Sequence, residues 1–488
     1  MLRPLIFYPL YFMKNRLTKE QSYILLFSAC IISRLATAIF YIEDIDSLRF
    51  ALSISEYNLL KLQPHFPGYP VYCFMAKILF FSTNSLGVTF SLLGGSSIFF
   101  IILFTLKFCN IQLNTLKGFL FTIIIFFNPI LWLMGNRYMP DLMGLAVLVS
   151  SLYLLTYRRT AKLYQPIGYL LIGILAGIRL SYLPFLMVPF IYHLIGNKER
   201  VRNLLLFNLG IALWFIPLIW ISGFENLYLV ATKQTIGHFS DFGGTIITEN
   251  NWYDRFINLF RSIWADGMGG YWSDRSWQTL ILSFPLGFLL FRGAVGFIEN
   301  FRNDKIQILL FVSVIVYIIW IFFFQNIIHK SRHVLPIIIF LFFLLNIGKD
   351  NILIKKSIFE NILLGLFFLS LINVTLTLVI QHKKPTAVSK LKDDILDSPV
   401  YKTVLSIPLI NYYLAKNGVD AEYLSVENQA DLNMINSFNK DSILVVGNFA
   451  HLFQNSFQQV HEKIFFHNPY VNRMWSKIET YKIIKKFE

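Results

Sequence analysis

Three acidic residues, Glu43, Asp44 and Asp46, directly follow the first long apolar stretch of the chain. A carboxylate just beyond a membrane helix faces water while low dielectric surrounds it, and it can act as a general base. The sequence from Ser47 to Leu62 predicts an amphipathic helix that would shelter such a base. The alternative is that the three carboxylates only keep this loop outside the membrane, which is the role we expect for Glu43.

Other polar residues stand at the ends of later apolar stretches, where charged side chains can face water at the membrane surface. They lie in a proline-rich loop, Pro64-His-Phe-Pro-Gly-Tyr-Pro70, and in the segments Arg137-Tyr-Met-Pro-Asp141, Gly177-Ile-Arg179-Leu-Ser and Lys330-Ser-Arg332-His333-Val-Leu-Pro336. His65 either contributes to a binding site or caps a turn. Arg137 and Asp141 either line a site or pair with each other.

The composition indicates which kind of structure holds these residues in place. With 488 residues, 55% of them hydrophobic and 15% charged, the chain has more apolar surface than one soluble core can bury. Apolar runs of about 20 residues predict membrane-spanning helices, whereas a β-barrel would alternate polar and apolar residues. The net charge of +15 suits cytoplasmic loops, so we expect no nucleic-acid partner. The three cysteines lack the spacing of a metal site, and we expect no disulfide framework.

The apolar runs predict an all-α polytopic membrane domain over residues 1–381, followed by a small extracytoplasmic α/β domain over residues 382–488. Eleven spans are expected, near residues 22–42, 86–108, 118–134, 139–157, 166–178, 181–195, 203–222, 276–292, 306–324, 333–348 and 358–380. The two short runs, 166–178 and 181–195, are either tilted or meet at Arg179 in a shallow turn.

The distribution of charge favours an interfacial rather than a crossing role for residues 68–84. Every short Lys- and Arg-rich loop then falls on the cytoplasmic side with the N-terminus, as the positive-inside rule requires. Loops 43–85 and 223–275 and the C-terminal domain lie outside. Within that domain, residues 441–448 predict a buried strand between helices near 427–438 and 449–463.

Taken in order, these motifs resemble the GT-C superfamily of membrane glycosyltransferases. The resemblance is to the family 39 protein mannosyltransferases, the aminoarabinose transferases and bacterial relatives with a His-Pro-Pro-Gly-Tyr-Pro loop. Asp46-Ser-Leu-Arg-Phe-Ala stands where those families place Asp-Glu at the start of a juxtamembrane helix. Ser47 replaces the usual acidic partner and Phe66 the first proline of the pair, which leaves use of a divalent metal open, and we assign no metal ligands.

The resemblance implies inverting transfer of a sugar, mannose-like or another hexose or pentose, from a polyprenyl-phosphate donor. The acceptor would be a hydroxyl on a protein or glycan at the outer face of the plasma (inner) membrane, among membrane lipids. It implies Asp46 as catalytic base with Asp44 next, Arg332, Arg179, Lys330, His65 and His333 at the donor phosphate, and Asp141, Arg137 and Tyr69 lining the site. The alternatives are a secondary transporter or lipid-linked-glycan flippase, in which Arg34 would be a transport residue, and a glycan polymerase.

Overall fold

The computed structural model describes residues 18–156, 161–196, 198–301, 304–355, 357–397, 403–427, 431, 442–449 and 457–485. The chain forms two compact units. The first unit comprises residues up to Ile39 together with Leu52–Ile380, and the second comprises Phe40–Ala51 together with the chain from Gln381 onward. Residues 40–51, which carry the acidic segment, therefore fold with the C-terminal part of the chain.

The first unit is built from helices. In chain order the helices up to residue 261 are α1 Lys19–Ala36, α2 Ile45–Ser55, which begins in the second unit, α3 Pro70–Thr83, α4 Leu86–Phe108, α5 Leu116–Phe126, α6 Pro129–Met134, α7 Asp141–Thr156, α8 Ala161–Arg179, α9 Leu183–Ile195, α10 Arg200–Ser222, α11 Phe224–Ser240 and α12 Trp252–Arg261. They are followed by α13 Trp277–Asn300, α14 Lys305–Phe324, α15 Leu335–Lys355 and α16 Ile358–His382.

Several of these helices are long and apolar enough to cross a bilayer. Among the described residues, seven stretches meet that criterion: Leu86–Phe108, Tyr164–Ile195, Arg200–Ser222, Trp277–Asn300, Lys305–Phe324, Ser331–Leu353 and Ile358–Asp397. In α10 only 11% of the most apolar window is buried, so its outer surface suits lipid. The protein is an integral membrane protein of the predicted polytopic helical class, and the count of eleven spans stays a prediction.

Local sequence signals explain where individual helices begin. Thr18 Oγ1 accepts the N–H of Gln21 at 3.2 Å while the Gln21 side chain accepts the Thr18 N–H at 2.9 Å. This reciprocal capping box starts α1. Asp304 Oδ1 accepts the N–H of Ile306 at 2.9 Å, so a single carboxylate cap starts α14.

The apolar stretch from residue 164 to 195 is interrupted at Arg179, where the sequence analysis allowed a turn. Arg179 has φ −153° and ψ 83°, and Leu180–Tyr182 forms a 3₁₀ turn before α9 begins with Pro184 in its first turn. The backbone of Arg179 thus lies outside the helical region of φ and ψ, and Pro184 is tolerated in the first turn of the next helix. The two helices are therefore separated at this point.

Helix α2 is shorter than predicted. The expected helix from Ser47 to Leu62 was wrong beyond Ser55. Asn58 Oδ1 accepts the N–H groups of Leu60 and Lys61 at 3.0 and 3.2 Å, and this side-chain turn competes with helix formation. The backbone of Asn58 also pairs with Gln63, which closes the segment as a turn.

The second unit contains a five-stranded sheet with two helices, α17 Ala387–Asp397 and α18 Pro408–Lys416. Its strands are β1 Thr403–Ser406, β2 Glu422–Ser425, β3 Ser442–Val446, β4 Phe457–Phe466 and β5 Lys477–Lys485, in the order β2-β1-β3-β5-β4. β1 pairs in parallel with β2 and β3, whereas β5 is antiparallel to β3 and β4. Leu405, Ile443, Val445 and Ile483 form the centre of its core.

Two predictions for this unit have different outcomes. The predicted buried strand is confirmed as β3, and its last four residues are all buried. The predicted helix near 449–463 is wrong over 457–463, which belong to β4. That segment pairs with β5 along its length, and cross-strand pairing outweighs a weak helical pattern. The helix predicted near 427–438 falls almost entirely outside the described residues.

Candidate functional site

Two arginines in the first unit converge on one carboxylate. Arg179 Nη2 lies 2.9 Å from Asp141 Oδ1, and Arg332 Nε lies 3.7 Å from the same oxygen. All three side chains are buried. We call Asp141, Arg179 and Arg332 the arginine cluster. Removing one member of a buried ion pair typically costs about 3–5 kcal/mol, so the three charges stabilise one another, and Asp141 is the anion that both arginines contact.

The local fold explains how these charges meet. Asp141 opens α7 and Arg179 ends α8, so each charge lies at the helix end whose dipole favours it. Gly144 permits the close approach of the two helices, because a Cβ at this position would lie only 2.7 Å from the Arg179 Cβ. Arg332 comes from the 3₁₀ turn Ser331–Val334 that precedes α15. Three separate elements thus deliver the cluster.

Two residues of the proline-rich loop, Tyr69 and His65, lie beside the arginine cluster. Arg179 Nη1 donates to the Tyr69 hydroxyl at 3.2 Å, and that hydroxyl lies 3.0 Å from His65 Nε2. Tyr69 has φ 47°, a left-handed conformation that costs energy in a residue with a side chain. Gly68, with φ 89°, is held through its carbonyl by the Tyr57 hydroxyl at 2.9 Å. The loop therefore presents Tyr69 to Arg179 and His65 to Tyr69.

Phe66, in the middle of the proline-rich loop, has a packing role. Phe66 packs against a buried apolar cluster formed by Leu59, Leu218, Leu227 and Val230. An aromatic side chain buries a large apolar area, of the order that dominates local packing energies. Phe66 thus anchors the middle of the loop within the first unit.

The remaining predicted residues of this unit differ in their surroundings. His333 is buried, and its carbonyl accepts the Tyr317 hydroxyl at 3.0 Å. Lys330 is half-buried. Arg137 Nη1 lies 3.8 Å from the Met134 sulfur.

Sequence reasoning missed two buried tyrosines beside the cluster, Tyr182 and Tyr317. The guanidinium of Arg179 lies 5.8 Å from the centre of the Tyr182 ring, which contacts the Tyr317 ring edge to face. A cation over an aromatic face is stabilised electrostatically. The available signals were weak: Tyr182 follows the helix break at Arg179, and Tyr317 is a polar residue within an apolar run.

The acidic segment lies in the second unit, and its three carboxylates have different environments. Asp44 precedes α2 and caps it: Oδ1 accepts the Ser47 N–H at 2.8 Å, while Oδ2 accepts from Asn472 at 3.0 Å. Glu43 Oε1 lies 2.8 Å from His382 Nε2. Asp46 is in the first turn of α2, buried, with Arg49 Nη1 at 3.8 Å. Asp44 and Glu43 are thus engaged in holding the fold.

The buried Arg34 in α1 contacts two aromatic rings and a backbone carbonyl. Arg34 lies over the rings of Phe126 and Trp132, 4.8 and 4.2 Å from their centres, and donates to the Phe126 carbonyl at 3.2 Å. These contacts compensate its burial. Arg34 therefore connects α1 to the α5–α6 segment.

No group of three His, Cys, Asp or Glu side chains within the described ranges could hold a metal ion. Glu43 and His382 supply one adjacent pair of potential ligands, which falls short of the usual ligand sets.

No family model matches the chain, and no curated protein matches it in sequence. In structure, the chain is similar to ArnT from Cupriavidus metallidurans bound to undecaprenyl phosphate, with 9% identity, a TM-score of 0.53 and coverage of 94% of this chain and 97% of that chain. The apo structure of the same ArnT gives 12% identity, a TM-score of 0.52 and coverage of 95% and 98%. The likeness extends over nearly both whole chains and shows that this chain shares the fold of ArnT, a polytopic helical fold of the class expected from the sequence.

Proposed function

We propose that this protein is an inverting glycosyltransferase that uses a polyprenyl-phosphate sugar as donor and an extracytoplasmic hydroxyl as acceptor. The observation that carries the proposal is the arginine cluster, in which two buried guanidiniums from separate elements converge on one anionic oxygen. The GT-C-type fold and the undecaprenyl phosphate bound to the similar ArnT structure support a lipid-linked phosphate as the donor.

The positive charges of the arginine cluster suit a phosphate leaving group. Guanidinium groups bind phosphate oxygens through paired, charge-assisted hydrogen bonds. When the bond between the anomeric carbon and the phosphate oxygen breaks, its electron pair stays on the phosphate, and fixed cations stabilise that developing charge. We assign this role to Arg332 and Arg179, with Lys330, His65 and His333 as further donor-phosphate residues and Tyr69, Arg137 and Asp141 lining the site.

The attacking hydroxyl needs a base. We assign this role to Asp46, because Asp44 has both carboxylate oxygens engaged by Ser47 and Asn472. Asp46 accepts the acceptor proton as the oxygen forms its bond to the anomeric carbon. One direct displacement inverts the configuration of that carbon. We propose a hexose or pentose, mannose-like or another, as the transferred sugar and a protein or glycan as the acceptor.

The transferase can be distinguished from a flippase or secondary transporter in one assay. The purified protein is incubated in lipid with radiolabelled polyprenyl-phosphate hexoses and pentoses and a hydroxyl acceptor, and release of free polyprenyl phosphate is measured. We expect release that depends on acceptor. Movement of the intact lipid-linked sugar across a vesicle membrane without any release would contradict the proposal.

A further inference from the structure

We propose that the C-terminal domain is a positioning device for the proposed catalytic base, and that His382, Thr386, Tyr413 and Asn472 hold the segment before α2 in its working orientation. We call these four residues the tether. The inference rests on the proposed role of Asp46. It assigns a function to residues 382–488, none of which is a proposed catalytic residue.

Two tether residues, His382 and Asn472, bind the side chains of consecutive residues of the acidic segment. His382 Nε2 lies 2.8 Å from Glu43 Oε1, and Asn472 Nδ2 donates to Asp44 Oδ2 at 3.0 Å. The amide of Asn472 is itself oriented, because its Oδ1 accepts the Met474 N–H at 3.0 Å. Its donor side therefore faces Asp44.

The other two tether residues donate hydrogen bonds to the backbone of the same segment. Thr386 Oγ1 donates to the Glu43 carbonyl at 2.9 Å, and the Tyr413 hydroxyl donates to the Ile42 carbonyl at 2.6 Å. Burial raises the pKa of the Tyr413 phenol above its ordinary value, so it stays protonated and remains a donor. The Tyr41 hydroxyl donates in turn to the His382 carbonyl at 2.6 Å.

These bonds exceed what α2 needs in order to form. A helix start requires a cap, and Asp44 Oδ1 provides one locally by accepting the Ser47 N–H. The four tether contacts instead come from residues at least 339 positions later in the chain. All four tether side chains are buried, and buried polar groups that are fully hydrogen-bonded define a single geometry. Their additional effect is to orient the start of the helix.

A second layer supports the tether. His467 Nδ1 accepts the N–H of Ala387, the residue after Thr386, at 2.9 Å, and its Nε2 lies 2.8 Å from the carbonyl of Asn472. One buried imidazole thus connects the two parts of the domain that supply Thr386 and Asn472. His467 therefore fixes the contacts of Thr386 and Asn472 relative to each other. Precise orientation of a reactive group requires such supporting hydrogen bonds.

Orientation matters because Asp46 lies only two residues beyond Asp44. A misplacement of about 1 Å in a reacting group can lower a rate about 100-fold. Loss of one tether bond should therefore reduce turnover while leaving donor binding, which we assign to other residues, unchanged.

The test compares Thr386→Val, which removes the hydroxyl at nearly constant volume, with Thr386→Ser, which keeps the donor. Thr480→Val is the matched control, because Thr480 is buried in the same unit and its hydroxyl donates to the Lys463 carbonyl at 3.3 Å. For Thr386→Val we expect about a 10- to 100-fold fall in kcat, a donor KM within about twofold and faster hydrogen exchange at the amides of residues 44–48. Thr386→Ser should restore all three, and Thr480→Val should leave them at wild-type values.

The outcomes separate this inference from the proposed function. Wild-type exchange at residues 44–48 in Thr386→Val would overturn the tether, whatever the activity. Faster exchange with unchanged kcat would show that the tether exists but does not position the base, and would also overturn it. Wild-type turnover in Asp46→Asn would instead refute the base assignment, while the exchange data would still report the tether. Equal loss in Thr386→Ser and Thr386→Val would indicate general destabilisation and count against the proposal.

Discussion

At the scale of single residues, neighbouring carboxylates are distinguished by their partners rather than by their spacing. Glu43 pairs with His382, Asp44 caps α2 and binds Asn472, and Asp46 lies beside Arg49. Sequence spacing made all three plausible as outer-loop charges. The resemblance implied Asp46 before Asp44 as the base, and the two partners of the Asp44 carboxylate agree with that order.

Changing Asp46 to Asn should abolish most transfer. The substitution keeps size and removes basicity, and loss of a general base typically lowers a rate about 10²- to 10⁴-fold. Turnover is measured on folded protein in a fixed lipid composition, with Asp393→Asn, a half-exposed residue that pairs with Lys392, as the control. Transfer within about tenfold of wild type would contradict the assignment and make Asp44 the next candidate.

Arg332 should bind the donor phosphate both before and during its departure. Arg332→Ala is therefore expected to weaken donor affinity and lower turnover together, because the contact exists in both states. Arg332→Lys should also be impaired, since a lysine cannot reproduce the fork of the guanidinium. Arg202→Ala is the control, because Arg202 is exposed and pairs with Glu199. Unchanged affinity and rate in Arg332→Ala would contradict the phosphate-binding role and leave Arg332 as a structural partner of Asp141.

At the scale of elements, the packing of α7 against α8 determines the geometry of the arginine cluster. Gly144 has no space for a side chain, because an added Cβ would lie 2.7 Å from the Cβ of Arg179 and 3.3 Å from the Tyr182 ring. A contact under 3 Å with a side-chain root cannot relax without moving a helix. The cluster thus depends on a glycine that is not a member of it.

Gly144→Ala should lower turnover about tenfold or more by displacing Arg179 from Asp141, on the same positional argument that applies to the base. The control is Gly365→Ala in α16, where an added Cβ meets nothing within 4 Å and the lower backbone entropy of alanine favours the helix. Both variants are assayed for thermal stability and transfer. Equal activity of the two variants would show that the approach of α7 and α8 does not govern the cluster.

At the scale of the whole molecule, the charge distribution predicts a cytoplasmic N-terminus and an extracytoplasmic C-terminal domain. Cysteines introduced near Arg158, a position outside the described residues, should not react with a membrane-impermeant reagent in intact cells, because that basic loop is predicted to be cytoplasmic. A cysteine at Ser425, in the C-terminal domain, should react. Labelling near Arg158 would overturn the topology and indicate that residues 68–84 cross the membrane.

The membrane class and the fold shared with ArnT could be predicted from sequence because they depend on properties that act locally or in bulk. An apolar content of 55%, arranged in long runs, indicates a membrane protein whatever the packing, and a turn at Arg179 could be anticipated from the boundary between the two short apolar runs without knowledge of its neighbours. The strand β3 could likewise be located from its apolar run alone. The order of five polar motifs was enough to indicate the fold.

The tertiary structure alone decided which of these residues meet. Asp141 pairs with Arg179 and Arg332, segment 457–466 pairs with β5 instead of forming a helix, and residues 40–51 fold with the C-terminal part of the chain. The physical reason is that local propensities are small beside the energies of burying and pairing groups that lie far apart in sequence. Asp44 and Asn472 are separated by 428 positions, and it is folding of the chain that brings the two side chains within hydrogen-bonding distance.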